Sequence, residues 1–526
     1  MGQSSLFSFF SVTNLFAIFF LVIALYSFGL VLYRLYFHPL AKFPGPKLAA
    51  ATKWYEFYFD VVKGSGGQFM FETDRMHEQY GPIVRVNPDE LHIKDPEFYD
   101  TLYRAGSAIR DKYPPSCLFA GTPLGVFGTV KHDPHRARKA PLAAYFSKRV
   151  YRTAEPIFQS QIEDFSDRLR NRQVSGKVTD VRVDFLSTAT EIVSRYAFGH
   201  PIGLHDSPEE AMDWLLTVKA IAAVSPFFKQ YPYVAQWLLP CPEWLVKILY
   251  PVFAPSIRLH SKMQREAVEA CEKVALDEKV TVWDGTPETR PPTVFEAILK
   301  TNLPPSEKTP DRLDHDAFTA IFGGGDPAAR TLTNCTFWLL TNPSVLQRLQ
   351  QELDDAIPNR SQQFTMQQVE ELPYLNAVMK ECLRLQAIST SRLEVVCPNE
   401  VLRYKDWVIH PGTAVGMSLR HTLHDPYIYP DPHAFRPGRW LDESGKIDVG
   451  KDKYYIPFHR GHRMCLGYAF ATTMMLMTLA TVFRRFELEL VDTIYERDVK
   501  IVRDCFIGET EPDTKGVKIK VLKERN

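Results

Sequence analysis

Paired cysteines are missing from this sequence. Its eight cysteines are Cys117, Cys241, Cys271, Cys335, Cys382, Cys397, Cys465 and Cys505, scattered without a Cys-x-x-Cys spacing or a dense run. That argues against both a zinc site and a disulfide framework, and suits a reducing compartment. Net charge is missing too: Lys+Arg and Asp+Glu both total 62, which gives no support for nucleic-acid binding. No long Gly/Ser linker and no internal repeat divides the 526 residues. Length alone allows two to four domains, but an undivided chain fits one large domain. Basic residues are absent from residues 1–14, and charge of either sign is absent from Leu15–Tyr33. This apolar run is long enough at helical rise to cross a bilayer core. No basic stretch precedes it and no small-residue cleavage site closes it, so a removed signal peptide is disfavoured. Arg34, Lys42, Lys47 and Lys53 follow, and positive charge on that flank leaves the bulk of the protein in the cytosol.

What is present reads in order as follows. Residues 1–14 form a lumenal N-terminus, 15–33 a transmembrane signal anchor, and 34–50 a proline-rich hinge. In the hinge, Phe43-Pro44-Gly45-Pro46-Lys47 makes a stiff elbow, because each proline fixes φ and keeps its predecessor out of the helical region. Residues 51–526 form the main domain. Up to about residue 300 it reads as helical, with strands near Ile83–Val86 and Leu91–Ile93. His132–Ser147 opens a basic helix on which His135 and Lys139 share a face. Residues 224–255 mix prolines with Phe227, Phe228, Tyr231, Tyr233, Trp237 and Trp244, an irregular stretch or an interface-seeking lip. Loops are expected at Gly285–Thr293 and Leu303–Pro310. A long apolar helix follows from Leu313 to Leu340, after which Asn342-Pro343 caps and starts the next. Inside the long helix, Gly323-Gly324-Gly325-Asp326-Pro327 predicts a kink or opened turn. Pro373–Leu385 is amphipathic and places Glu381 and Arg384 within pairing reach. Val499–Leu522 alternates in patches like a closing β-hairpin.

One motif organises the rest: Phe458-His-Arg-Gly461-His-Arg463-Met-Cys465-Leu-Gly467, followed by the helical run Tyr468–Phe486. A cysteine just before a helix start, beside a cation, is placed to favour a thiolate over a thiol, and a thiolate suits a metal ligand. The glycines permit a tight turn and the close approach of a flat ligand. Arg463 offers a fork of donors to a carboxylate.

This Phe-x-x-Gly-x-Arg-x-Cys-x-Gly pattern resembles the haem-thiolate signature of the cytochrome P-450 family. The resemblance extends over roughly residues 33–522, and it is closest to membrane-anchored fungal members of specialised metabolism, trichodiene oxygenase-like enzymes among them. It implies a mainly α fold with small β-sheets (α+β): one large helical haem domain behind one transmembrane helix. Cys465 would be the axial ligand of haem b iron, and Phe458, Gly461 and Gly467 would shape its loop. Arg463, His135 and Lys139 would meet the propionates. Gly324 and Asp326 match the central-helix motif, whereas Pro327 stands where the family has a threonine whose hydroxyl helps deliver protons. Glu381, Arg384 and Arg439, the last from Phe435-Arg-Pro437-Gly-Arg439-Trp440, would form a buried charge network that must be fully paired. Val395 occupies the place of a common propionate-binding arginine. The implied activity is a monooxygenase in the endoplasmic reticulum membrane, acting on O2 and a lipophilic terpenoid or polyketide. Electrons would come from NADPH through a flavin-containing P-450 reductase, with cytochrome b5 as a further partner. Two alternatives stand beside it: a haem-thiolate enzyme that rearranges, cyclises or couples without inserting oxygen, and a haem protein without turnover.

Overall fold

A computed structural model describes residues 12–238, 240–275 and 292–525. Helix Val12–Leu32 runs on into a wider turn at Tyr33–Phe37. The apolar span Leu15–Phe37 has a mean hydropathy of 2.7, and none of it is buried against the rest of the chain. A helix apolar on every side is normally a buried one, in a protein core or a membrane; with no protein around it, this one is long and apolar enough to cross a bilayer. It extends one turn beyond the expected end at Tyr33. There Arg34 donates to the carbonyl of Ala51 (2.8 Å), and Arg85 donates to the carbonyl of Arg34 (2.8 Å). These bonds tie the hinge to the domain. Residues 1–11 of the expected lumenal segment, and most of the loop expected at Gly285–Thr293, lie outside the described residues.

The strands expected near 83 and 91 are Ile83–Asn87 and Glu90–Ile93, an antiparallel pair with Ile83 opposite Ile93. They begin a five-stranded sheet continued by Ala414–Gly416, Val395–Val396 and Asp111–Lys112. The helical body surrounds one central helix, Pro310–Thr341. Thr309 opens it by accepting the amide of Arg312 on its hydroxyl, with Pro310 at the first position, where a missing N–H costs nothing. Helices Val181–Phe198, Ala254–Ala275, Pro373–Gln386 and Tyr468–Arg485 pack against it. Leu332, Cys335, Leu339, Val378, Cys382, Met475 and Leu479 bury their side chains in the shared core.

The opened turn expected at Gly323–Pro327 is not formed: the backbone stays α-helical throughout. The neighbouring helix explains why. A Cβ on Gly324 would come within 2.8 Å of Val193, and one on Gly325 within 2.5 Å of Thr190. The glycines thus admit close helix packing, which offsets the roughly 3 kcal/mol cost of an interior proline. Two smaller expectations also change. Asn342 precedes the next helix, but its side-chain amide donates back to the carbonyl of Trp338 (2.8 Å) instead of capping forward. The tail makes a hairpin only at Arg503–Cys505 and Ile507–Glu509. Lys518–Glu524 joins another sheet, between Thr179–Asp180 and Phe486–Leu490.

The stretch 224–255 is helical rather than irregular over most of its length: it takes in the end of helix Pro208–Gln230, then Pro232–Leu238 and Glu243–Leu249. Phe228, Val246 and Phe253 are buried in a satellite cluster, while Tyr233, Trp237, Trp244, Ile248 and Leu249 are exposed. Tyr231 meets Phe57 ring to ring at 6.1 Å, so this face adjoins the exposed Trp54 and Tyr58.

Under the first sheet, His77, His92 and His421 stack edge to face with ring centroids 4.9–5.7 Å apart. His77 Nε2 lies 2.7 Å from His92 Nδ1, and His421 Nε2 lies 2.6 Å from Asp74. Burial is the main cause that holds His77 and His421 down to about 4 and His92 well below the ordinary 6.5. Folded values below the unfolded ones mean that protons bind the unfolded chain more tightly. The cluster's stability is complete above pH 6.5 and is lost as pH falls from there toward 4. Thermal unfolding followed across that window should show Tm dropping, with a shallower drop in His92→Gln; a flat Tm would contradict this.

Candidate active site

The loop before helix Tyr468–Arg485 is closed by its own backbone. The amide of Cys465 donates to the carbonyl of Phe458 (3.0 Å), and that of Met464 to Gly461 (3.2 Å). Gly461 has φ +72°, and a Cβ there would lie 2.0 Å from the carbonyl oxygen of Tyr103, so only glycine fits. A Cβ on Gly467 would meet no atom within 4 Å, which leaves the space beside Cys465 clear. Phe458 braces the loop edge to face against Tyr468, at 4.8 Å.

Cys465 keeps solvent-accessible surface two residues before Gly467, the N-cap of the helix. The thiolate expected from that position is not intrinsic to it. Protein packed around the residue pushes the thiol pKa up, and the amide of Gly467 and the charge of Lys139 only partly oppose this. A bound metal would deprotonate it outright.

Facing this loop are half-buried cations that pair with no described carboxylate, and one buried histidine. Arg463 donates to the carbonyls of Thr129 and Val130, both at 2.9 Å, and its buried Nε has no partner. Lys139 donates to the carbonyls of His462 (2.8 Å) and Met464 (3.0 Å). His135 is buried one turn earlier on the same helix. Burial is the first cause that lowers Arg463 to about 10 and His135 to about 2, and it also lowers Lys139. Among the described residues, Arg463 and Lys139 form no ion pair with a carboxylate.

Sequence reasoning missed a further cation here. Lys112 donates to the carbonyl of Phe127 (2.8 Å), sits 4.0 Å from that ring's centroid, and is lowered by burial to about 8. It lies directly across the sheet from Val395, and opposed residues share a face within side-chain reach. A cation thus stands on the neighbouring strand opposite Val395, which offers none. A two-residue strand outside any motif carries no periodic signal, so only strand register reveals it. Desolvated, unpaired cations are costly, and a group carrying two carboxylates would relieve them. The donor set, the clear space at Gly467 and the orphaned Nε of Arg463 all fit a haem.

On the central helix, both oxygens of Asp326 are engaged. Oδ1 accepts from Arg182 (3.0 Å) and Oδ2 from Arg330 (2.7 Å). Arg330 also pairs with Glu509 and donates to the carbonyl of Gly508 (2.9 Å). Burial alone would raise the Asp326 pKa, but the guanidiniums of Arg330 and Arg182 outweigh it and hold the carboxyl below the usual range. A small cavity of about 30 Å³, lined in part by Arg182, Lys219, Arg330 and Gln386, adjoins this network. Pro327 offers no hydroxyl. The next one, on Thr331, lies 2.8 Å from the Pro327 carbonyl and 2.9 Å from Gln386 Oε1, so it is already committed. Gly324 contributes close packing against Val193. The partners Arg182, Arg330 and Glu509 were not foreseen; Arg330 alone carried a signal, the i, i+4 spacing from Asp326.

Glu381 and Arg384 are fully buried and doubly bonded, both contacts at 2.9 Å. Glu381 also accepts from Arg439 Nε (3.0 Å), the amide of Arg436 (3.0 Å) and the indole of Trp440 (2.9 Å). Arg384 spends its remaining donors on the carbonyls of Leu423 and Pro432. Every charge in the group is satisfied, the condition under which a buried network is tolerated.

Comparison with known proteins adds the following. A family model described as Cytochrome P450 matches residues 51–502. The cytochrome P450 monooxygenase MO6277 of Ascocoryne sarcoides is 37% identical, over 94% of this chain and 96% of its own length. The tryptophan 6-hydroxylase fscE of Fusarium equiseti is 37% identical, over 96% of both. The conidiogenone synthase PchP450 of Penicillium rubens is 35% identical, over 88% of this chain and 90% of its own.

Proposed function

Since the chain belongs to the cytochrome P450 family and its relatives are fungal monooxygenases of secondary metabolism, we propose that it inserts one oxygen atom from O2 into a lipophilic product of that metabolism. The observation that carries the reading is Cys465 set beside the half-buried cations Arg463, Lys112 and Lys139, which pair with no described carboxylate. Haem b would supply oxygen activation when bound, which a thiolate ligand promotes by pushing electron density toward the iron. Cys465 would be that ligand. Arg463, Lys112, Lys139 and His135 would hold the two propionates, and Phe458 and Gly461 fix the loop that presents the sulfur. Glu381, Arg384 and Arg439 lock the core behind it. Asp326 is the acid of the central-helix motif through which protons would reach the site, and carrying one requires an oxygen to leave Arg182 or Arg330.

The apolar helix Leu15–Phe37 anchors the protein in the endoplasmic reticulum membrane, with residues 51–526 in the cytosol. The exposed aromatics at 231–250 rest on the same surface, where lipophilic substrates partition. A terpenoid or polyketide suits that route, and the tryptophan hydroxylase relative adds aromatic rings to the range. Electrons come from NADPH through a flavin-containing reductase, with cytochrome b5 as a second donor. Pro327 and the fully engaged Asp326 favour a second reading, in which the enzyme rearranges, cyclises or couples its substrate without inserting oxygen.

Membranes carrying the protein and the reductase should consume NADPH and dioxygen when substrate is added, and a chain lacking residues 1–33 should keep its haem and lose most of its membrane association, the exposed aromatics at 231–250 retaining some. Failure of any lipophilic compound in a broad panel to trigger uptake would contradict the assignment of turnover. Loss of haem on truncation would make the first helix part of the fold.

A further inference from the structure

Three side chains remain outside everything described above. His260 lies on helix Ala254–Ala275, and Asp314 and His315 lie on the second turn of the central helix. One ring nitrogen of each histidine and one carboxylate oxygen of Asp314 fall within 4.8 Å of one another. His260 and Asp314 are buried, at 7% and 1% exposure, and His315 is half-buried. His260 Nε2 lies 2.8 Å from Asp314 Oδ2, but the two are not aligned for a hydrogen bond. That nitrogen and Asp314 Oδ1 are both buried without a hydrogen-bond partner. A carboxylate oxygen with no partner and a nitrogen held only by a misaligned contact are expensive to bury, and a shared cation would satisfy both.

We propose that His260, Asp314 and His315 form a site for a divalent transition metal of the zinc class. Two neutral imidazoles and one carboxylate are an established donor set for such an ion. At ligand distances of about 2.0–2.1 Å the donors must stand about 3.3 Å apart, so the side chains close by rotamer adjustment without moving either helix. The lack of Cys-x-x-Cys spacing does not bear on this site, because its ligands are histidines and an aspartate from two helices.

The site is coupled to a loop. The amide of Leu124 donates to His315 Nδ1 (3.1 Å), and that of Val126 donates to Asp316. A metal on Nδ1 displaces the Leu124 amide. A metal on Nε2 requires the proton on Nδ1, where it opposes the same amide. On either nitrogen, loading ties helix 254–275 to the central helix and releases Leu124 from it.

The test uses the full-length holoenzyme, purified without a polyhistidine tag, stripped with chelator and titrated with Zn(II). Calorimetry and elemental analysis after desalting should find one zinc per chain beyond the haem iron. His260→Gln, His315→Gln and Asp314→Asn should each weaken it on the order of a hundredfold, at least the loss seen when a ligand's supporting partner is removed. His410→Gln, an exposed histidine elsewhere, should bind as the parent does. Hydrogen exchange at 122–126 should rise with zinc in the parent and not in the three variants. Absence of saturable binding, or binding retained by His315→Gln and Asp314→Asn, would overturn the site. Unchanged loop exchange at full loading would overturn the coupling. None of these readouts depends on turnover, so the result is separable from the proposed activity.

Discussion

Cys465→Ala should lose the long-wavelength absorption band that a thiolate-ligated haem shows when reduced and bound to carbon monoxide, together with all turnover. The effect is expected to be complete because no other described cysteine lies in this loop, and a histidine ligand would not restore a thiolate spectrum. His459 is half-buried, is held by Tyr99 and lies on the far side of Gly461 in the turn. His462 keeps a ring nitrogen without a partner, but its ligation would give a different band. The cations need no sulfur to hold two carboxylates, so Cys465→Ala is expected to keep some haem with a changed spectrum. Retention of the parent spectrum would place the ligand elsewhere.

The second large effect is expected at Asp326. Asp326→Asn keeps the shape of the side chain and removes its charge, so Arg182 and Arg330 are left with Glu509 as their remaining anion. If the carboxylate carries protons, turnover per haem should fall by roughly a hundredfold or more, the usual worth of a positioned proton donor or acceptor, and the solvent isotope effect should rise. A role confined to holding the ion-pair network would lower thermal stability instead, leaving turnover per haem within about threefold. Measuring both quantities on one preparation separates the two roles. Pro327 sharpens the expectation, since no hydroxyl at that position can take over.

What the sequence disclosed and what it withheld follow from the range of each interaction. The Cys465 loop was legible because its determinants are consecutive: Gly461 is fixed by a local turn and by one carbonyl, Arg463 and Cys465 by position within it. The Glu381–Arg384 pair was legible because i, i+3 spacing on a helix is itself a contact. Residues 15–33 were legible from the absence of charge. Lys112 was not, because its relation to Val395 exists only in the register of two strands far apart in sequence. Arg182 and Glu509 were hidden for the same reason. The opened turn at Pro327 was misjudged because local propensity was weighed without the helix at 181–198, whose Val193 and Thr190 press against Gly324 and Gly325. The upward push on the Cys465 thiol was hidden likewise, since a helix start and a lysine are visible in sequence, whereas the surrounding protein is not.

The proposed reaction inserts oxygen despite the proline at 327. Turnover under 18O-labelled dioxygen separates it from the alternative chemistry, with product mass read after a single pass in ordinary water. One labelled atom per product molecule is expected for each oxidation. A rearranged, cyclised or coupled product without label would contradict it and establish the alternative chemistry.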